Sequence, residues 1–168
     1  MKHLLSILVL LGFISSANSY PYLDGTYWLI TDYAGEKWYS EEDKIIGNYQ
    51  NFYKGYAEGY FYECDYKGQS KTYNSYSLNT FFKNPEFDLF EKHKSKMQLE
   101  DSTIYVHRIT CHGDSVTERK VLYPLVTQED KAFYLYEGAI FFMKATDLKD
   151  LPESTQELIL SRRLEKIK

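Results

Sequence analysis

The string "VHRITCHGDSV", residues 106–116, gathers His107, Cys111 and His112, and the chain's other cysteine is Cys64. Imidazole nitrogen and thiolate sulfur are zinc ligands, so these four side chains could be drawn as a metal site. The spacing speaks against it. Structural zinc sites favour tight pairs such as Cys-x-x-Cys, and a strand over residues 103–111 puts His107 and Cys111 on one face while His112 turns away. Ser115, after Gly113-Asp114 and near His112, invites a nucleophile. A hydrolase needs base, orienter and oxyanion donors converging in space, and there is no Gly-x-Ser-x-Gly elbow, so a polar hairpin turn accounts for these residues. The carboxylate pairs Glu41 with Glu42 and Glu63 with Asp65 would serve acid–base chemistry only in a cleft that raises one pKa. Lys92, His93, Lys94 and Lys96 read as a solvated face or as a contact for an anionic ligand. We assign no catalytic residue, no metal ligand and no cofactor.

The tract "NFYKGYAEGYFYECDY", residues 51–66, is the densest in aromatic rings. Side chains on a strand alternate between faces. Phe52, Tyr56, Tyr60, Tyr62, Cys64 and Tyr66 fall on even positions, and Asn51, Gly55, Ala57, Gly59, Glu63 and Asp65 on odd ones, with Lys54 and Glu58 on the first face and Tyr53 and Phe61 on the second as exceptions. The glycines mark a turn or bulge between two strands. This parity predicts an aromatic core face closed by tyrosine hydroxyls near its rim, or a ligand wall built from the same rings.

Compartment is read from the beginning of the chain and from the cysteines. A basic Met1-Lys2-His3, an apolar run over residues 4–14 and the small residues Ala17-Asn18-Ser19 form a secretory signal peptide over residues 1–19. The apolar run is too short to span a bilayer as a mature helix, and no cysteine near the cut supports a lipid anchor. Residues 20–147 then form one β-barrel-like domain, and residues 148–168 a C-terminal helix. In an oxidising compartment, a lone couple of cysteines pairs, so a disulfide between Cys64 and Cys111 is expected. The formal net charge of −4 and the scattered basic residues argue against nucleic acid as a partner. No later segment is long and apolar enough to cross a membrane, which places the protein in a periplasm or outside the cell.

The remaining elements are mostly strands. "GTYWLITDY" is aromatic and β-branched, and "STIYVHRITC", "RKVLYPLVT", "KAFYLYEG" and "AIFFMKA" follow at the spacing of an antiparallel meander, with turns at residues 128–130 and 137–138. "SEEDKIIG" reads as a short helix or a single turn. "SYSLNTFFKNPEFDLFEKHKSKM" loses the period of two and predicts a helix or loop excursion over the barrel mouth. The last stretch has Leu160, Leu164 and Ile167 on one helical stripe, predicting a terminal helix that is docked on the sheet or partly free. The fold class is mostly β: a small antiparallel barrel or strongly curved sheet with short helices and a C-terminal helix.

Asp24-Gly25-Thr26-Tyr27-Trp28, at the start of the first strand, resembles the glycine-plus-tryptophan signature of lipocalins, whose tryptophan closes one end of an eight-stranded barrel. The lipocalin spacing is Gly-x-Trp, and here Tyr27 stands at the tryptophan's place. The closing run from Val121-Leu122-Tyr123-Pro124-Leu125 to Tyr136-Glu137-Gly138-Ala139-Ile140-Phe141 resembles the ending of small exported bacterial proteins of unassigned function with lipocalin-like architecture. The resemblance implies a fold and a compartment and no activity. Function is then expected from the barrel: a non-enzymatic exported protein taking a small, partly aromatic or apolar ligand in a barrel mouth through Trp28, Tyr56, Tyr60 and Tyr62. The alternative is a periplasmic inhibitor or immunity protein for a cell-wall hydrolase, meeting a basic enzyme through acidic loops around Glu36, Glu41, Glu42 and Asp43.

Overall fold

The computed structural model describes residues 23–35, 45–66, 73–112, 119–121, 124–136 and 138–167. The expectations for the signal peptide, for the acidic residues Glu36, Glu41, Glu42 and Asp43, for most of "SEEDKIIG" and for the Gly113-Asp114-Ser115 turn lie outside those residues.

Among the described residues, eleven strands form one antiparallel sheet: β1 (Thr26–Ala34), β2 (Tyr49–Tyr53), β3 (Tyr56–Gly59), β4 (Cys64–Asp65), β5 (Tyr73–Tyr76), β6 (Ile104–His107), β7 (Thr110–His112), β8 (Arg119–Val121), β9 (Leu125–Gln128), β10 (Lys131–Tyr136) and β11 (Ala139–Thr146). Their order across the sheet is β5-β6-β9-β10-β11-β1-β2-β3-β4-β7-β8. The expected strand over residues 103–111 is thus broken at Arg108-Ile109. Its first half borders β9 and its second half borders β4, near opposite margins of the sheet. Two residues can connect such distant positions only if the sheet curls, and the result is a half-barrel whose margins the chain itself joins. Cys64 of β4 and Cys111 of β7 lie at disulfide distance, with Cα atoms 5.4 Å apart, and tie these two neighbouring strands together.

The short turns follow from local chemistry. Lys54 and Gly55 both adopt positive φ, at 49° and 79°, the backbone of a two-residue hairpin turn between β2 and β3. Glu129-Asp130 makes the expected turn between β9 and β10. Along β10 and β11 the alternation predicted from sequence separates two cores. Ala132, Tyr134, Ala139, Phe141 and Met143 face the concave side with Trp28, Phe52, Tyr62, Tyr66 and Ile109. Phe133, Ile140 and Phe142 face outward with Ile104, Val106 and Val126. Burying a ring of this size is worth about 2–3 kcal/mol, so two such clusters dominate the energetics.

The outer cluster is covered by the aromatic excursion. Its helices are α1 (Leu78–Phe82), α2 (Asp88–Lys92) and α3 (Lys94–Met97), which with the 3-10 turn Pro85–Phe87 bring Phe81, Phe87, Phe90 and Met97 against the convex face of β6, β9, β10 and β11. The segment therefore lies on the outside of the barrel rather than over its mouth, because its rings match an apolar outer patch. Ser77 caps α1 in a reciprocal capping box with Thr80.

Helix α4 (Glu153–Ile167) is the expected terminal helix, turned the other way from the predicted stripe. Ile159 is fully buried, whereas Leu160 and Leu164 are 47% and 65% exposed. The sheet face beneath it is polar and aromatic, and arginines satisfy it better than leucines do. Arg162 donates to Glu58 at 2.8 Å, and Arg163 lies 4.0 Å from the Tyr53 ring centroid.

Candidate functional site

Register builds one row across the concave face. Tyr73 pairs with His107, His107 with Leu125, Leu125 with Tyr134, Tyr134 with Phe141, and Phe141 with Tyr33. Opposed residues in an antiparallel pair share a face, so these side chains line up although they come from five strands and the edge strand β5. Where β1 joins this row its register shifts between Ile30 and Asp32, a bulge that turns Tyr33 toward Phe141, with ring centroids 6.0 Å apart.

Above the row stands the link between β3 and β4, Tyr60-Phe61-Tyr62. Phe61 is the hub. Its centroid is 4.6 Å from Tyr134, 5.2 Å from Phe141, 5.7 Å from Tyr136 and 5.5 Å from Tyr60. Tyr62 sits deeper, 4.8 Å from Tyr134. The floor of Tyr62, Tyr134 and Phe141 is buried, the rim of Tyr33, Phe61 and Tyr136 is partly exposed, and Tyr60 is 43% exposed. Tilted and edge-to-face ring pairs at these separations each add about 0.5–1.5 kcal/mol beyond burial, so the cluster is preorganised.

One buried glutamine holds the link in place. Gln50 is fully buried; its Oε1 accepts from the Phe61 and Tyr62 amides at 3.1 and 2.9 Å, and its Nε2 donates to the Tyr62 carbonyl at 3.2 Å. Gly59 permits this approach. A Cβ there would lie 2.3 Å from the Tyr49 carbonyl oxygen and 2.6 Å from the Gln50 Cα, at a φ of +151°. Gly59→Ala is expected to cost about 2 kcal/mol in urea unfolding; wild-type stability in that variant would mean that β2 and β3 separate without penalty.

Electrostatics at the barrel end favour neutral groups. Burial, then the neighbouring Tyr134, pushes the Tyr62 hydroxyl well above its usual range, so it stays protonated. Burial alone lowers His107 to about 4, keeping a neutral imidazole whose Nε2 is 2.9 Å from the Thr127 hydroxyl. The site can therefore offer ring faces and uncharged hydrogen-bonding groups.

The residues expected from sequence do not all meet there. Tyr60 and Tyr62 do. Trp28 is fully buried on the concave face in the row with Gln50 and Ala145, its indole nitrogen donating to Thr26 Oγ1 at 2.9 Å. Tyr56 pairs with Tyr53 on the outer face, its hydroxyl raised in pKa by burial and then by Glu63. The reason is the two-residue turn. It pairs Tyr53 with Tyr56 and Phe52 with Ala57, so the even positions of β2 share a face with the odd positions of β3. A single parity through residues 52–66 therefore does not hold.

Tyr33, Phe61, Tyr134, Tyr136 and Phe141 are the members that sequence reasoning missed. The alternation in "KAFYLYEG" and "AIFFMKA" marks three of them as one-faced, yet nothing local says that Phe61 meets them. The other candidates have structural partners. The two cysteine sulfurs face each other, and among the described residues no group of three or more His, Cys, Asp or Glu is placed to hold a metal. Lys96 bonds Asp32 at 2.9 Å and lies over the Tyr33 and Phe142 rings, while Lys94 lies over Phe82. Surface grooves occur elsewhere. One of about 410 Å³ is lined by Leu29, Asp130, Lys144, Asp147 and Asp150, and it lacks converging rings.

No protein-family model, no curated protein and no solved structure matches this chain.

Proposed function

We propose that this is an exported, non-enzymatic binding protein whose aromatic barrel end takes a small, partly aromatic or apolar ligand. The observation that carries the reading is the convergence of partly exposed rings from three separate elements, Tyr33, Tyr60-Phe61 and Tyr136, over a buried floor of Tyr62, Tyr134 and Phe141. Ring faces supply contact area at little entropic cost, and tyrosine hydroxyls orient what they hold. Export is supported by the leader-like residues 1–19 and by the cysteine pair at bonding distance. No helix of the described residues is long and apolar enough to cross a membrane.

Native mass spectrometry tests the reading on protein exported by its own host and purified without denaturant. The expected result is an added small mass that unfolding releases. Tyr60→Ala and Tyr136→Ala are each expected to weaken rebinding of the released compound about tenfold, the value of one aromatic contact, with little change in melting temperature. A bare protein, or rebinding unchanged in both variants, would remove the barrel end as a ligand site.

A further inference from the structure

On the opposite side of the sheet from the aromatic barrel end, the outer face of β1–β3 holds a second constellation. Glu58 is only 4% exposed, although it is a carboxylate on the outside of a barrel. Asn51 Nδ2 donates to one of its oxygens at 3.5 Å, and Arg162 of α4 donates to the other at 2.8 Å across 104 positions of sequence. Glu63 lies 3.6 Å from the same guanidinium nitrogen. The neighbouring Arg163 donates to the Tyr27 hydroxyl and stacks over two rings, 4.0 Å from the Tyr53 centroid and 5.2 Å from that of Tyr27. The carboxylates take Arg162 and the paired tyrosine faces take Arg163, and it is the ring faces that suit a planar guanidinium and fit a lysine ammonium poorly.

The fit of the chain's own helix is incomplete. Arg163 Nε is buried with no hydrogen-bond partner, and Leu158, Leu160 and Leu164 point to solvent rather than to the sheet. Leu151 is buried just before Pro152, and Ile159 is the one fully buried side chain among residues 153–165, so beyond Pro152 the helix is held on the sheet mainly by that side chain and its two arginines. Glu58 is held by Asn51, by Tyr49 and by a single guanidinium nitrogen of Arg162, and nothing in that geometry requires that the cation come from α4.

We propose that the outer face of β1–β3 is an arginine-recognition site, occupied by Arg162 and Arg163 of the chain's own C-terminal helix, and that a partner protein segment with two adjacent arginines takes it by displacing that helix. The inference shares no residue with the barrel end and stands apart from the ligand reading.

The test uses the full-length, oxidised protein and a serine- and glycine-flanked Arg-Arg peptide, with a Lys-Lys peptide as control. Removing the competing side chains in R162A/R163A is expected to tighten Arg-Arg binding at least tenfold in calorimetry. Lys-Lys is expected to bind at least tenfold more weakly than Arg-Arg, and E58Q added to R162A/R163A should abolish binding. In the unmodified protein, saturating Arg-Arg peptide should speed amide exchange across residues 153–167. R162K/R163K, which keeps a positive charge beside Glu58, should show the same order of affinities and serves if the alanine pair fails to fold. Arg-Arg binding that is no tighter in either double variant than in the unmodified protein, or that survives E58Q, overturns the proposal. So does helix exchange that stays unchanged at saturation.

Discussion

Replacing both Cys64 and Cys111 with serine is expected to lower the unfolding free energy by about 4 kcal/mol. The bond closes a loop with a sequence separation of 47, and the chain-entropy relation converts a loop of that length into this value. Net stabilities of small domains run to about 5–15 kcal/mol, so the loss is large. The location sharpens it. β4 is two residues long and meets β7 at the single pair Asp65↔His112, so the cysteines staple the shortest strand pairing of the sheet. Urea unfolding of the oxidised protein and the double-serine variant measures the difference, and amide exchange should rise first in residues 104–112. A difference below about 1 kcal/mol would mean that the β4–β7 pairing holds without the bond and that the unfolded chain gains little freedom from losing it.

The second large effect depends on pH. His107 is 2% exposed, and burial lowers its pKa to about 4 from the ordinary 6.5. Between those values the unfolded chain binds a proton that the folded protein refuses, so stability falls as the pH drops. It is full above about 6.5, declines through the window and levels off below about 4. The shift corresponds to about 3 kcal/mol in total. Protonation would also place a charge in the row that leads through Leu125 to Tyr134 and the aromatic barrel end. Urea unfolding at pH 7.0 and pH 4.5 should show the wild type losing about 2 kcal/mol more than His107→Gln, whose amide can still meet Thr127. Equal losses in the two proteins would assign the acid sensitivity to other groups. Asp32 does not compete in this window: against a burial that would raise it, bonds from Lys96 and the Tyr33 amide hold its carboxyl below the usual carboxylate range, so the stability it contributes is lost only at lower pH.

Much of the fold was legible because strands carry local signals. β1 and the β9-β10-β11 meander follow from alternation in "GTYWLITDY", "KAFYLYEG" and "AIFFMKA", and the Glu129-Asp130 turn from its polarity. The cysteine pair followed from the count of two and the expected compartment. Parity failed at Lys54-Gly55, because whether a turn contains two residues or three decides which positions share a face, and a glycine signals a turn without stating its length. Tyr56 was therefore placed inward and lies outward. The terminal helix failed differently. Periodicity selects Leu160 and Leu164 as the docking stripe, but the surface that the helix meets is built by Tyr27, Tyr53 and Glu58, distant in the chain, and it receives Ile159, Arg162 and Arg163.

The sequence by itself determined that this chain makes an antiparallel, tyrosine-rich β-domain with one cysteine pair and a terminal helix, since composition, alternation and turn residues act over a few positions at a time. Tertiary structure alone decided which rings meet. Tyr33, Phe61, Tyr134 and Phe141 converge because β1 pairs with β11 and the sheet curls back on itself. Pairings between strands about a hundred residues apart depend on the fit of whole faces, which no local pattern encodes.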